Sequence, residues 1–342
     1  MGSDQKTANI CVIGCGHWGK NLVRNFHALG SLHSICEGNP SLLNRFREEY
    51  QVKGFSELSE VLRDPEIDGI VVATPAEQHA RMAIAGLEAG KDVFVEKPLA
   101  LRWQDGFEMT VAARRFNRIL MVGHLLIYHP AVVKIKELVD AGELGRLEYI
   151  YSNRLAMGKI RREENALWSF APHDISVILR LTGSLPVQVS AVGGTYVQPN
   201  IADVTISNLL FDHGTRAHIF VSWLHPYKEQ RLVVIGSKKM IVFEDSRATD
   251  KLVLYDKDIA WANGGFEVKQ PKGEPVPFAP LEPLQVECQH FIDCIVHRQT
   301  PKTPGEDGVT VLQVLQACQR SLQMGGDRVQ VTDAAAQRVE AM

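Results

Sequence analysis

The sequence predicts an α/β protein with a parallel sheet in its first part and a large, mostly antiparallel open sheet in its second. Four short apolar runs before residue 124 alternate with amphipathic stretches, which is the strand–helix–strand pattern of a parallel sheet. Between Val187 and Phe243, apolar and polar residues alternate with a period of two, as in strands that bury one face. We therefore expect two domains, residues 1–124 and residues 125–342.

Composition excludes several classes of partner. The chain has 342 residues, 45 % of them hydrophobic, and a formal charge of −3, so neither nucleic acid nor an anionic membrane is an expected partner. No apolar run approaches the roughly 20 residues that a membrane span requires. Residues 1–6 lack the apolar segment of a signal peptide.

The six cysteines are scattered and show no paired spacing, which predicts reduced thiols and a cytoplasmic protein. Cys288, His290, Cys294 and His297 could be drawn as metal ligands. They also fall at helical spacing in an amphipathic stretch, and this second interpretation leads us to predict no metal site.

A dinucleotide-binding motif follows the first strand. Asn9–Ile13 is apolar and runs into Gly-x-Gly-x-x-Gly, after which an amphipathic helix begins. The glycines permit a tight turn, close approach of a pyrophosphate and close packing of helix on strand, and the helix N-terminus attracts the phosphates. The candidate cofactor-binding residues of this motif are Gly14, Gly16, His17, Trp18 and Gly19.

Further cofactor contacts are predicted at the ends of the next strands. Glu37 ends the second strand, 18 residues after Gly19, where a carboxylate accepts hydrogen bonds from the ribose and repels a 2′-phosphate. NAD is therefore favoured over NADP. Thr74 and Pro75 end a later strand, and His79 lies in the helix that follows, either as a cofactor contact or as a surface or capping residue.

Glu96-Lys97-Pro98 delivers charged groups to the same sheet edge. Val93–Val95 is a short buried strand, and Pro98 ends it because proline lacks an amide N–H. Lys97 suits stabilisation of an alkoxide and proton relay, and Glu96 could orient Lys97 or the cofactor.

A histidine in the second part is the candidate proton acceptor. His173 is predicted to lie in the first turn of a helix ending near Gly183, where its ring could project into a cleft. Arg161 belongs to a basic run that is either solvated or holds a diphosphate, and Arg154 ends a strand. Residues 256–280 are rich in Gly, Pro and Lys and predict a loop.

Taken in order, these motifs resemble the Gfo/Idh/MocA family of sugar oxidoreductases. The likeness lies in residues 14–19, in Ala73-Thr74-Pro75 with His79 and in Glu96-Lys97-Pro98, and it continues through 142–145 and 173–175 to Ser321. The resemblance implies an N-terminal Rossmann domain and a C-terminal α/β domain whose open sheet often mediates oligomers. His173 falls on the family's active-site histidine. Where the family commonly has an aspartate four residues earlier, this chain has Ser169.

Residues 16–22 and 167–175 resemble the nucleotide-sugar branch of the family. Its members oxidise C3 of UDP-N-acetylglucosamine, or of its C6 acid, to a 3-keto sugar for a partner aminotransferase that supplies lipid A or surface polysaccharide. We expect UDP-N-acetylglucosamine as substrate, with His173 accepting the C3 hydroxyl proton and Lys97 bonding the same oxygen. Candidate substrate-binding residues are His124, Arg154, Arg161, Trp168 and His173.

Other readings stay open: the uronate as substrate, a free-sugar or inositol dehydrogenase, a redox-assisted glycosidase, or a non-catalytic NAD-binding regulator. The resemblance also implies a homo-oligomer, either a dimer or a tetramer.

Overall fold

A computed structural model describes residues 7–331, which form two units. Within the described residues, the first unit contains residues 7–128 together with Leu281–Leu312. The second contains His129–Pro280 and residues 313–331. Across the described residues, every helix is too short or too polar to span a bilayer.

The first unit is built on a six-stranded parallel sheet with strand order β3-β2-β1-β4-β5-β6. The order reverses between β1 and β4, and in open α/β sheets ligands bind at such a switch point. The strands are β1 (Ile10–Ile13), β2 (Leu32–Cys36), β3 (Lys53–Phe55), β4 (Gly69–Val72), β5 (Asp92–Glu96) and β6 (Leu120–Gly123). Five helices connect them: α1 (Gly19–Ala28), α2 (Pro40–Tyr50), α3 (Leu58–Arg63), α4 (His79–Glu88) and α5 (Trp103–Arg115).

Local chemistry explains why these elements begin and end where they do. Strands β1, β4, β5 and β6 are buried at every residue, because helices cover both faces of a parallel sheet, and they accordingly read as unbroken apolar runs. Helix α2 begins at Pro40, and the Asn39 side chain accepts hydrogen bonds from the first free N–H groups.

The second unit contains a nine-stranded sheet of order β16-β13-β12-β11-β7-β10-β9-β8-β17. Every pairing is antiparallel except β7 with β10, which confirms the predicted mostly antiparallel sheet. The strands are β7 (Leu147–Met157), β8 (Gln188–Gly194), β9 (Val204–Leu210), β10 (Arg216–Ser222), β11 (Leu224–Gly236), β12 (Lys239–Glu244), β13 (Leu252–Asp256), β16 (Gly273–Pro275) and β17 (Val329–Gln330). Helices α6 (Pro130–Asp140) and α7 (Ala166–Thr182) belong to the same unit, and α7 packs on β10.

Two local predictions in the second unit are wrong. Residues 256–280 are not simply a loop, because β14 (Ile259–Ala262) and β15 (Gly265–Val268) form a hairpin and β16 joins the sheet. His173 is not in the first turn of its helix. Helix α7 begins at Ala166, where Asn165 caps it, and it continues through Pro172.

The chain returns to the first unit late. Helix α8 (Pro283–His297) packs its Phe291 ring against Phe26 of α1, with 6.5 Å between centroids, and against Phe94 of β5 at 5.7 Å. Helix α9 (Gly305–Gln323) follows. The sequence placed all residues after 124 in the second domain, whereas contacts group Leu281–Leu312 with the first unit. The physical reason is the apolar sheet face that α8 covers.

Candidate cofactor and catalytic sites

The glycine-rich loop has the geometry that its motif predicts. A Cβ added to Gly19 would lie 1.8 Å from the Gly14 carbonyl oxygen, so helix α1 requires glycine there. Gly14 has φ of +89°, and an added Cβ would lie 2.9 Å from the Ala73 carbonyl oxygen. An added Cβ on Gly16 would meet nothing within 4 Å. The open space above Gly16 fits the approach of a dinucleotide pyrophosphate. His17 and Trp18 are both exposed beside it.

Glu37 is held against this loop. Its Oε2 accepts a hydrogen bond from the Cys15 backbone N–H at 2.8 Å, and its Oε1 accepts one from Asn39 N–H at 2.9 Å. The backbone thus fixes the carboxylate at the end of β2, next to the first glycines. Remaining lone pairs on its oxygens suit ribose hydroxyls.

His79 links the loop after β4 to the loop after β5. Its Nδ1 lies 2.8 Å from the Pro98 carbonyl oxygen and its Nε2 lies 2.8 Å from that of Thr74, and the side chain is 1 % exposed. Burial lowers its pKa, against the effect of the two carbonyls. A neutral imidazole carries one N–H and can donate to only one of them. Both ring nitrogens nevertheless lie against backbone carbonyl oxygens, and a contact of His79 with a cofactor stays a prediction. Thr74 and Pro75 lie in the connected loop, at the end of β4.

Trp18 ties the glycine-rich loop to the end of β5. Its Nε1 donates to Glu96 Oε1 at 2.5 Å, and the Lys97 backbone N–H donates to Glu96 Oε2 at 3.1 Å. Burial raises the pKa of Glu96, while the Trp18 N–H and the Lys97 charge act in the opposite direction. Lys97 itself is half-buried, immediately after the strand.

His124 follows β6 and is 1 % exposed. Neither ring nitrogen has a hydrogen-bond partner among the described residues. Burial and then the nearby Lys97 charge lower the pKa of His124 to about 4, so the ring is neutral near pH 7. An uncharged, buried imidazole suits a polar contact better than proton uptake.

In the second unit, the Arg154 guanidinium forms an ion pair with Asp174. Its Nε and Nη2 donate to Asp174 at 2.9 and 3.0 Å, and Ser152 Oγ donates to the same carboxylate at 2.6 Å. The Arg154 side chain is 13 % exposed. This bidentate pair holds β7 to α7, and a substrate contact of Arg154 stays a prediction.

The remaining candidates lie on or just before α7. Trp168 Nε1 donates to Gln319 Oε1 at 3.1 Å, and Arg161 pairs with Glu164 at 3.0 Å. His173 lies in the third turn of α7, partly exposed, next to the buried Asp174.

Sequence reasoning missed two structural features of the first unit. It did not connect Trp18 with Glu96, which are 78 residues apart. It also overlooked Glu287, a buried acid on α8. The one available signal was an acidic residue four positions before the buried Phe291, on the apolar side of an amphipathic helix.

Comparison with known proteins identifies the family. A model of the oxidoreductase family with an NAD-binding Rossmann fold matches residues 8–124, and a model of the GFO/IDH/MocA C-terminal domain matches residues 132–242. The chain belongs to the Gfo/Idh/MocA family. It is an oxidoreductase, with an NAD-binding Rossmann domain at its N-terminus. The family, fold class and cofactor predicted from the sequence are confirmed.

Relatives differ in substrate. The UDP-N-acetylglucosamine 3-dehydrogenase of Acidithiobacillus ferrooxidans is 26 % identical over 88 % of this chain and 93 % of its own length. A solved structure of that enzyme, aligned at 24 % identity, has a TM-score of 0.82 and covers 93 % of this chain and 98 % of its own. The scyllo-inositol 2-dehydrogenase (NAD(+)) of Bacillus subtilis is 27 % identical over 92 % of this chain and 94 % of its own length.

Proposed function

We propose that this oxidoreductase oxidises the C3 hydroxyl of UDP-N-acetylglucosamine to the 3-keto sugar, with NAD as hydride acceptor. The observation that carries the proposal is the bond between Trp18 and Glu96, which fixes the Lys97 strand end to the nucleotide-binding loop. The full-length similarity to a UDP-N-acetylglucosamine 3-dehydrogenase supports the substrate.

The chain's own residues would divide the work. When bound, NAD takes up the hydride. The Lys97 ammonium donates to the substrate oxygen and stabilises the developing alkoxide, while His173 accepts the hydroxyl proton. Arg161 and Trp168 would contact the nucleotide sugar, and His124 would offer a neutral ring nitrogen. The residues proposed to hold NAD are Gly14, Gly16, His17, Trp18, Gly19, Glu37, Thr74, Pro75, His79, Glu96 and Lys97.

Two alternative substrates have specific points for or against them. A uronate would need a cation to bind its C6 carboxylate, and the Arg154 guanidinium is already paired with Asp174. This pairing favours UDP-N-acetylglucosamine, which has no C6 carboxylate. The similarity to a scyllo-inositol 2-dehydrogenase is as extensive as that to the nucleotide-sugar enzyme, and it keeps an inositol as the second candidate.

We also propose a homo-oligomer formed through the open sheet face, and an aminotransferase that consumes the 3-keto product. On the sheet, Tyr151 and His218 stack with 5.2 Å between ring centroids, and Tyr149 bonds the His218 ring at 2.5 Å. Such a half-exposed aromatic cluster is the type of surface that a second subunit buries.

The test is a substrate panel. UDP-N-acetylglucosamine, its uronate and scyllo-inositol are each incubated with the protein and NAD, and NADH is followed by absorbance. We expect turnover of the first, inhibited by UDP. Lys97→Ala and His173→Ala should each lower kcat at least about 100-fold.

Lys136→Ala is the matched control for these variants, because Lys136 is a helix-surface lysine paired with Asp140. Turnover of inositol alone, with no effect of UDP, would show that the substrate is an inositol and not UDP-N-acetylglucosamine. Near-normal kcat in both variants would overturn the catalytic assignment.

A further inference from the structure

Glu287 is a buried acid that the proposed reaction does not use. Its side chain is 0 % exposed, and neither carboxyl oxygen has a hydrogen-bond partner among residues 7–331. A charged carboxylate in such surroundings would be very unfavourable, so the group is expected to keep its proton. A protonated carboxyl of this kind can donate as well as accept.

The packing of α8 on β5 places Glu287 near Glu96. Phe291 lies one helical turn after Glu287 on the same face, and its ring contacts that of Phe94, two residues before Glu96 on the same side of the strand. At the other end of the helix, Arg298 pairs with Asp92, the first residue of β5. Between these two contacts helix α8 runs antiparallel to β5, so the earlier residue Glu287 lies toward the strand end that carries Glu96.

The two carboxyl groups differ in the hydrogen-bond donors and positive charge that could stabilise a carboxylate. Glu96 receives N–H donors from Trp18 and from the Lys97 backbone, and it is close to the Lys97 charge. Glu287 receives none of these. Burial raises the pKa of Glu287 well above its usual range, and the negative charge of Glu96 raises it further. The asymmetry leaves the negative charge on Glu96 and the proton on Glu287.

Other groups that face Glu287 do not compensate a second charge. Tyr128 comes from the short helix Leu125–Tyr128, and Cys288 is its neighbour on α8. Burial raises the pKa of both side chains, so both are neutral at pH 7. Arg24 on α1 is paired with Glu282 and is more than half exposed.

We propose that Glu287 is a positioning residue that holds one proton for the Glu96–Glu287 pair, so that a single negative charge faces Lys97. That charge would favour the cationic ring of oxidised NAD over the neutral ring of NADH. This consequence rests on the proposed function, because it needs the nicotinamide near Lys97. The shared proton itself does not.

The first test uses the protein without cofactor. The infrared spectrum of the wild type at pH 7 should show the C=O stretch of a protonated carboxylic acid. The band should disappear in Glu287→Gln, which keeps the shape of the side chain, and persist in Glu282→Gln, the control at the N-cap position of the same helix. A band that survives in Glu287→Gln, or that the wild type lacks, would overturn the proposal.

A second measurement covers the case in which the spectrum is crowded. Because folding raises the pKa of Glu287 above its unfolded value near 4.5, stability is lost as pH rises from that value toward the folded pKa. Glu287→Gln has no such loss. The Tm of Glu287→Gln minus that of the wild type should therefore grow between pH 5 and pH 8 by at least about 2 °C. A constant difference would refute the raised pKa.

The third measurement concerns NAD. Over the pH range in which the apoprotein measurements show Glu287 losing its proton, the wild type should gain preference for NAD⁺ over NADH, whereas the ratio of the two Kd values should stay constant in Glu287→Gln. If the apoprotein results hold and the wild-type ratio does not change, the shared proton stands and the placement of the nicotinamide near Lys97 is wrong.

Discussion

Gly16→Ala is a sharp test of the nucleotide site, because the structure separates its effect on folding from its effect on binding. The backbone of Gly16 is outside the left-handed region, and an added Cβ would meet nothing within 4 Å. We therefore expect the free energy of unfolding to change by no more than about 0.5 kcal/mol, as for an ordinary surface substitution. The same methyl group would occupy the space that the pyrophosphate needs.

The size of the binding defect follows from the hydrogen bonds at stake. Moving the pyrophosphate away from the loop weakens at least one N–H bond to a charged oxygen, worth roughly 1.5–3 kcal/mol. That range corresponds to an increase of about 10- to 150-fold in the Kd for NAD. Gly19→Ala should differ in kind, because its Cβ would lie 1.8 Å from the Gly14 carbonyl oxygen. We expect it to lower Tm as well as affinity.

Isothermal titration with NAD and thermal unfolding would be run on both variants and on a control. Gly265→Ala is the matched control, since an added Cβ there also meets nothing within 4 Å and the residue begins β15, far along the chain from the glycine-rich loop. Gly16→Ala with wild-type Tm and wild-type affinity would refute the assignment of this loop to the cofactor.

Three further predictions concern single carboxylates. Glu37→Ser should weaken NAD binding and reduce the preference for NAD over NADP, as measured by the two Kd values, because it removes both a ribose acceptor and the repulsion of a 2′-phosphate; an unchanged preference would contradict the role of Glu37. Asp174→Ala should lower the free energy of unfolding in urea by about 3–5 kcal/mol, because it leaves the Arg154 guanidinium buried and unpaired, and a loss below 1 kcal/mol would count against this reasoning. Asp203 is buried, which alone would raise its pKa, but hydrogen bonds from backbone N–H groups and from Trp223 Nε1 lower it below 3.8. Stability should therefore fall as pH drops below about 4, and Asp203→Asn should flatten that dependence in acid unfolding curves, whereas parallel curves would exclude the effect.

Features that depend on neighbouring residues were predictable from the sequence. The positive φ of Gly14 and the close approach of Gly19 to the Gly14 carbonyl arise within one tight turn, so the motif alone contains that information. The unbroken apolar runs of β1 and β4 indicate strands that are buried on both faces. The alternation of β10 indicates a strand that buries one face. These local patterns were sufficient for the fold class and for the NAD-binding Rossmann domain.

Features that depend on distant segments were not predictable in this way. The Trp18–Glu96 bond requires knowing which helix start faces which strand end. The position of His79 between two loops depends on carbonyl oxygens that are distant from each other in the sequence. Helix α7 begins earlier than predicted, because Asn165 caps it at Ala166 and the helix continues through Pro172, a residue type that is usually found at a helix start.

The late return of α8 has a consequence for biosynthesis. Phe26 and Phe94 are already translated when residue 128 leaves the ribosome, yet the helix that covers them ends at His297, 169 residues later. At translation rates of about 5–20 residues per second, roughly 10–30 s pass between the synthesis of that apolar sheet face and the synthesis of the helix that covers it. During this interval the nascent nucleotide-binding unit exposes apolar surface that favours aggregation, and a fragment ending at residue 128 would lack the helix that covers it.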